Sequence, residues 1–275
     1  MALTEHNNIS IAQIIIYVPS LFIAVWLSYK HGFGRSAGWF YLIIFSLARI
    51  LGASFQLATI SDPKNLNLQV GAAILQTIGL SPLIMLQLGL LGRALGSIRK
   101  STTSFVTEKR LRLVQVIALV GLILGIVGGS SSFSDTGVYT VADTSRAGTG
   151  LTIAAYVLLV LATVAVALQL SHIEPGEKRL VLAVGLSLPF ILVRLAYSGE
   201  SVFGNNPDFS PLTANMNIYL GMAVIMEMIV IVIVEAIGMT LHKLPANKNV
   251  PVATGYQQPW QQSEVDRDHE MGGYR

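Results

Sequence analysis

The chain has 275 residues, of which 52% are hydrophobic and only 12% charged, with a formal net charge of +3. Soluble domains carry about a quarter of their residues as charges, so this composition excludes one and points to a membrane protein. A cysteine count of zero removes disulfides and thiolate metal sites, and the basic residues fall where orientation in a bilayer explains them, which leaves no case for a nucleic-acid partner.

Residues 1–8 read as a short lumenal N-terminus. The first apolar window, 9–29, is too long for the h-region of a signal peptide, lacks a basic segment before it and ends on Lys30 and Arg35, so it is expected to stay attached. Asn8-Ile9-Ser10 is a sequon on the predicted lumenal side, but it lies against the membrane and its use is not expected. Six further windows follow, at 37–58, 68–95, 111–132, 149–171, 179–200 and 216–241. Crossing a hydrocarbon core takes about 20 mostly apolar residues, and each of these suffices. The linkers KHGFGR (30–35), SDPKN (61–65) and EPGEKR (174–179) hold the expected helix breakers. The third window is long enough to tilt, or to bend at Pro82. From Pro245 onward the chain turns to Gln, Pro, Gly and charge, too little apolar surface to fold alone. The predicted organisation is a transmembrane domain over 9–243 and a disordered cytoplasmic tail over 244–275.

Fourteen of the 18 Lys and Arg residues fall in or beside the odd-numbered linkers and the tail; the even linkers hold only Lys64 and Arg146. The positive-inside rule then puts the N-terminus outside or lumenal and the C-terminus in the cytoplasm. An odd number of spans requires the same. The expected fold is an all-α seven-transmembrane helix bundle.

Two basic residues stand apart. FSLARILG (45–52) and FILVRLAY (190–197) set Arg49 and Arg194 among apolar residues in one frame, F-x-L-x-R. Spans two and six run in the same direction, so the frames fit a 3+1+3 parallel repeat. At about 1.5 Å per residue, Arg49 lies about 18 Å and Arg194 about 22 Å from the cytoplasmic starts of their spans, too deep to snorkel inward. A central Arg costs about 2.5–3.5 kcal/mol on insertion scales, so partners or a wet cavity are expected. Span seven offers Glu227 and Glu235, about 80° apart around the helix. Glu227, at mid-depth, is the better partner, while Glu235 is within about two turns of Lys243. Tyr197, Ser198 and Ser201 share the Arg194 face, Gln56 shares that of Arg49, and Glu200 lies at the lumenal mouth. Gln76 and Gln87 read as interhelical hydrogen-bond glue. Gly92-x-x-x-Gly96 and Gly121-x-x-x-Gly125 read as packing motifs.

Several chemistries find no support. The five histidines (His6, His31, His172, His242 and His269) fall outside the windows, so no buried haem or zinc site is expected. Span seven lacks a lysine for a Schiff base, the aspartates form no paired metal-diphosphate run, and no phosphate loop or nucleophile elbow occurs. No metal and no cofactor is expected. What remains is a carboxylic acid in an apolar cavity near fixed cations and phenols. Held neutral, Glu227 could protonate an alkene or epoxide, with the rings of Tyr197 and Tyr219 stabilising cationic intermediates and water excluded.

By span count, orientation, length and the intramembrane F-x-L-x-R and Glu pattern, residues 9–243 resemble the small seven-span fungal integral membrane proteins. That group includes membrane-bound terpene cyclases of meroterpenoid pathways such as those to macrophorin and ascofuranone. The resemblance implies a metal-independent, acid-initiated cyclisation of a prenyl chain on a lipophilic substrate, in the endoplasmic reticulum or another endomembrane. It assigns no role to any position. From depth and chemistry, Glu227, Arg194, Arg49 and Tyr197 are the expected catalytic residues, and Glu235, Gln56, Tyr219 and Glu200 the expected substrate contacts. The expected partners are a prenylated small molecule and membrane lipids. A seven-span transporter, lipid translocator or receptor is the alternative.

Overall fold

The computed structural model describes residues 5–32, 37–63, 65–98, 106–132, 140–173, 176–204, 206–210 and 215–241. Its helices are α1 (Glu5–His31), α2 (Ala37–Ala58), α3 (Leu66–Ile78), α4 (Leu80–Ile98), α5 (Glu108–Ser131), α6 (Asp143–Ala167), α7 (Lys178–Phe203), α8 (Met216–Tyr219) and α9 (Ile225–Thr240), with no strand among the described residues. Seven helical runs are long and apolar enough to cross a membrane. The fold is an all-α seven-helix bundle. The predicted tail, 244–275, together with Lys243, His242, His269, Arg35, Lys64 and the linker 99–105, lies outside the described residues.

Capping chemistry moves several boundaries from where apolar windows alone put them. Span one begins at Glu5, so residues 5–8 belong to the helix and not to a separate N-terminal segment. Asn8 of the sequon is therefore helical, and the Ser10 hydroxyl donates to the His6 carbonyl (3.0 Å). Span four begins at Glu108 because the Thr107 side chain caps the Arg110 N–H (3.4 Å). Span five starts six residues before its predicted window, with Asp143 in its first turn, where an acid favours the positive end of the helix dipole.

The helix of span three is interrupted, but not at Pro82. α3 ends at Ile78 and α4 begins at Leu80. Proline lacks an N–H and its ring crowds the carbonyl four residues back, which here is that of Ile78, so the disruption falls one turn upstream of the residue that causes it. This span is also the hub. In its most apolar window 72% of residues are buried, against 28–50% in the other spans. α4 packs on α2, α5, α6 and α7.

α5 and α6 approach closely through glycines. A Cβ on Gly148 would stand 2.7 Å from the Gly125 nitrogen and 2.9 Å from the Gly121 carbonyl oxygen. Gly121 and Gly148 are therefore the packing pair: a Cβ on Gly121 would also stand 3.1 Å from the Gly148 carbonyl oxygen, whereas one on Gly125 would meet nothing within 4 Å. Gly92 and Gly96 form no such pair: a Cβ on Gly96 would meet nothing within 4 Å, and one on Gly92 only Leu111 at 3.8 Å.

α1 inverts the usual amphipathic pattern. Ile11, Ile15, Phe22 and Trp26 are exposed, whereas Ser10, Gln13, Tyr17 and Ser20 are buried. In a bilayer the apolar face turns to acyl chains and the polar face inward, where Ser20 meets Glu235 of α9 and Ser46 of α2. Near the predicted cytoplasmic end, Arg93 of α4 is buried and grips Glu177 with Nε (3.0 and 3.2 Å) and Nη2 (2.7 Å). It is an interhelical clamp, not a surface charge setting orientation.

Candidate functional site

Arg49 on α2, Arg194 on α7 and Glu227 in the first turn of α9 meet in the bundle interior, at 3%, 2% and 1% exposure. Glu227 Oε1 accepts from both cations, from Arg49 Nη2 and from Arg194 Nε (2.8 Å). The same two guanidiniums share a second acceptor. The backbone carbonyl of Gln76 receives Arg49 Nη1 (2.9 Å) and Arg194 Nη2 (3.2 Å). Gln76 lies in the last turn of α3, where carbonyls run out of intrahelical partners, so the break in span three supplies the acceptor.

Gly79 at that break is required by space. It has ordinary right-handed helical dihedrals, but a Cβ there would overlap the Arg49 guanidinium. Arg49 also sits over the Phe45 ring, 5.4 Å to its centroid, while Arg194 sits over Tyr197 at 5.5 Å. The two F-x-L-x-R frames thus converge on one carboxylate and one carbonyl, yet only the first uses its own Phe as a cation-π partner.

Beside this cluster lies a cavity that is open on one side. Arg194 forms part of its wall, followed along α7 by Tyr197, Ser198 and Ser201, with Tyr219 also contributing. Arg194 Nη1 donates to the Ser198 hydroxyl. Both sides of the α3–α4 break, the small-residue faces of α5 and α6, and His6 complete the enclosure. The Tyr197 and Tyr219 rings lie 6.1 Å apart, and His6 lies 5.9 Å from Tyr219.

The expected site residues divide accordingly. Arg194, Tyr197 and Tyr219 line the cavity. Arg49 and Glu227 do not. They hold Arg194 from behind, and Glu227, engaged as counter-ion by two cations, is not placed as a proton donor to anything in the cavity.

Glu235 meets neither arginine. It accepts from the Ser20 hydroxyl, itself 3.3 Å from that of Ser46, because its position two turns further along α9 faces α1 instead of the α3–α7 side. Gln56 is half-buried and off the cavity wall, and Glu200 is exposed near the end of α7, also off the wall. Gln76 acts through its backbone. Gln87 is fully buried but its side chain bonds to no described residue, so neither side chain serves as the expected glue.

Sequence reasoning overlooked His6, Gln13, Tyr17 and Ser20. With Ser10 they form one polar stripe on α1 at alternating steps of four and three, the spacing of a single helix face. Placing His6 outside the membrane segments hid its end. Thr77, Ser81, Thr149 and Thr152 on the cavity wall carry no comparable signal, since hydroxyls are common inside transmembrane helices.

Fold and site together define a multi-pass integral membrane protein in which a buried charge cluster backs an intramembrane cavity. Residues 3–244 match the family model described as "Domain of unknown function (DUF7702)", and the chain belongs to that family. No curated protein and no solved structure matches it.

Proposed function

We propose that the protein binds a lipophilic small molecule in the cavity beside Arg194, with the polar end of the molecule against the guanidinium and its apolar part among the helices. The observation that carries this is a fully buried arginine, already fixed by Glu227, Ser198 and the Gln76 carbonyl, forming part of a cavity wall. An ionisable group so placed in a membrane segment marks a functional site by default. The wall mixes hydroxyls and the guanidinium with the apolar surface of Ala73, Ile78, Leu80, Leu122 and Val202, and convergent polar groups are what orients a ligand in such a site.

The ligand class is a prenylated compound, and the reaction a metal-independent cyclisation of its prenyl chain at an endomembrane, as the sequence resemblance implies. One observation favours chemistry over simple binding: Tyr197 and Tyr219 present paired rings to the cavity, and aromatic faces stabilise cations. Their hydroxyls and His6 are the proton-bearing groups on the wall apart from Arg194 and the aliphatic hydroxyls. Glu227 acts here as the positioning counter-ion of Arg194.

Microsomes bearing the protein, fed a linear prenylated phenol or its terminal epoxide, test both parts by mass spectrometry and NMR. A cyclised isomer of unchanged mass, lost in Tyr197→Leu, is the expected result. Recovery of the unchanged compound from the protein would reject cyclisation and keep the binding site. Failure of any such compound to bind the purified protein would reject both.

A further inference from the structure

The cluster behind the cavity is not charge-balanced. Arg49 and Arg194 are permanent cations, and Glu227 is the one carboxylate among the described residues that pairs with them. Glu235 does not supply the second anion. It lies about 12 Å further along the helix by rise and is held by the Ser20 hydroxyl. Glu200, one to two turns from Arg194 on α7, is exposed, and no Asp or Glu among the described residues lines the cavity. Among the described residues, a formal charge of +1 is thus left buried beside an open volume. Burying an uncompensated charge in a bilayer-embedded bundle is costly.

Arg49 Nε has no hydrogen-bond partner among the described residues but Arg49 lies off the cavity wall, so from the cavity the excess charge is reached through Arg194. Arg194 spends Nε on Glu227, one Nη1 hydrogen on Ser198 and one Nη2 hydrogen on the Gln76 carbonyl. A guanidinium has further N–H donors beyond these, and Arg194 is the member of the cluster that reaches the cavity. Ser198, Ser201 and Thr152 add hydroxyls on the same wall, while Ala73, Leu80 and Leu122 provide apolar surface.

We infer that the cavity takes an amphiphile whose head is a singly charged oxyanion, a carboxylate or a phosphodiester, which completes a cluster of two cations and two anions. This rests on the cavity being the ligand site and specifies the chemistry of the ligand. Charge-assisted bonds to guanidinium are the strong ones, and in this setting they also relieve an existing imbalance. Binding such a head therefore favours the folded bundle as well as the ligand.

A tail-matched pair tests it: geranylgeranoic acid and geranylgeraniol, each titrated into the full-length protein in phosphatidylcholine nanodiscs, with affinity and thermal stabilisation measured. The acid is expected to bind about tenfold tighter or more. Arg49→Gln should abolish that preference although Arg49 is off the cavity wall, because it leaves a neutral Arg194–Glu227 pair. Should that variant fail to fold, the wild-type comparison decides by itself. Equal binding of acid and alcohol overturns the anion while leaving the lipophile site standing. Binding of neither overturns both. Adding phosphatidylglycerol, a singly charged phosphodiester, to the nanodiscs identifies the source: competition with the prenyl acid assigns the anion to a bilayer lipid, and no competition, with the acid still bound, assigns it to a free amphiphile.

Discussion

Arg49 and Arg194, 145 positions apart in the chain, donate to the same carboxylate oxygen of Glu227 and to the same backbone carbonyl at Gln76. Four helices, α2, α3, α7 and α9, are tied at that point. Its disturbance should be felt as loss of stability before it is felt as loss of function.

Removing the shared carboxylate leaves two buried guanidiniums without an anion. Glu227→Gln should destabilise the protein by about 3–5 kcal/mol, the usual result of breaking a buried pair from one side. Glu235→Gln retains an acceptor for the Ser20 hydroxyl and should cost no more than about 1.5 kcal/mol. Thermal unfolding of both variants in nanodiscs compares them directly. Similar losses would mean that Glu227 is not the distinctive counter-ion.

Gly79 and Arg49 should be energetically coupled. A methyl group at residue 79 occupies the guanidinium position, so Gly79→Ala should be severely damaging in the wild type and much milder in an Arg49→Met background. Residues in contact typically couple by about 0.5–3 kcal/mol. A double-mutant cycle giving simple additivity would show that the close approach has no energetic weight.

Gly148 and Gly96 should behave oppositely. Gly148→Ala drives a methyl group into the α5 backbone at Gly121 and Gly125 and should cost about 1–3 kcal/mol as overpacking. Gly96→Ala meets open space and should fall within about 0.5 kcal/mol of wild type or stabilise it slightly. Comparable effects from both would contradict the assignment of close packing to Gly148 and not to Gly96.

Ser201 offers a way to close the cavity without touching the charge cluster. It lines the cavity near the end of α7 and is half-buried, so Ser201→Trp should fill the opening. Binding of a prenyl acid should drop by about tenfold or more, with melting temperature of the unliganded protein preserved. Retained binding in a well-folded S201W protein would place the ligand elsewhere.

The sequence by itself determined the seven spans, the all-helical class and the shared level at which Arg49, Arg194 and Glu227 meet. Span length, hydropathy and axial rise are local properties of a chain that must satisfy its own backbone in lipid. An irregularity in span three was legible too: the helix is interrupted at Gly79 rather than at Pro82, upstream because a proline acts on the carbonyl four residues before it. The polar stripe of α1 was present in the spacing of Ser10, Gln13, Tyr17 and Ser20.

Tertiary structure alone decided which acid the arginines meet. Glu227 and Glu235 differ modestly in angle around α9, but each also faces different neighbours at its own depth, so Arg49 and Arg194 reach one and Ser20 the other. The cavity was likewise invisible, because it exists where the broken span three, the glycine-spaced pair α5 and α6, and the hydroxyl face of α7 leave space together. Helix rotation and spacing come from side chains on other helices, and no single segment encodes them.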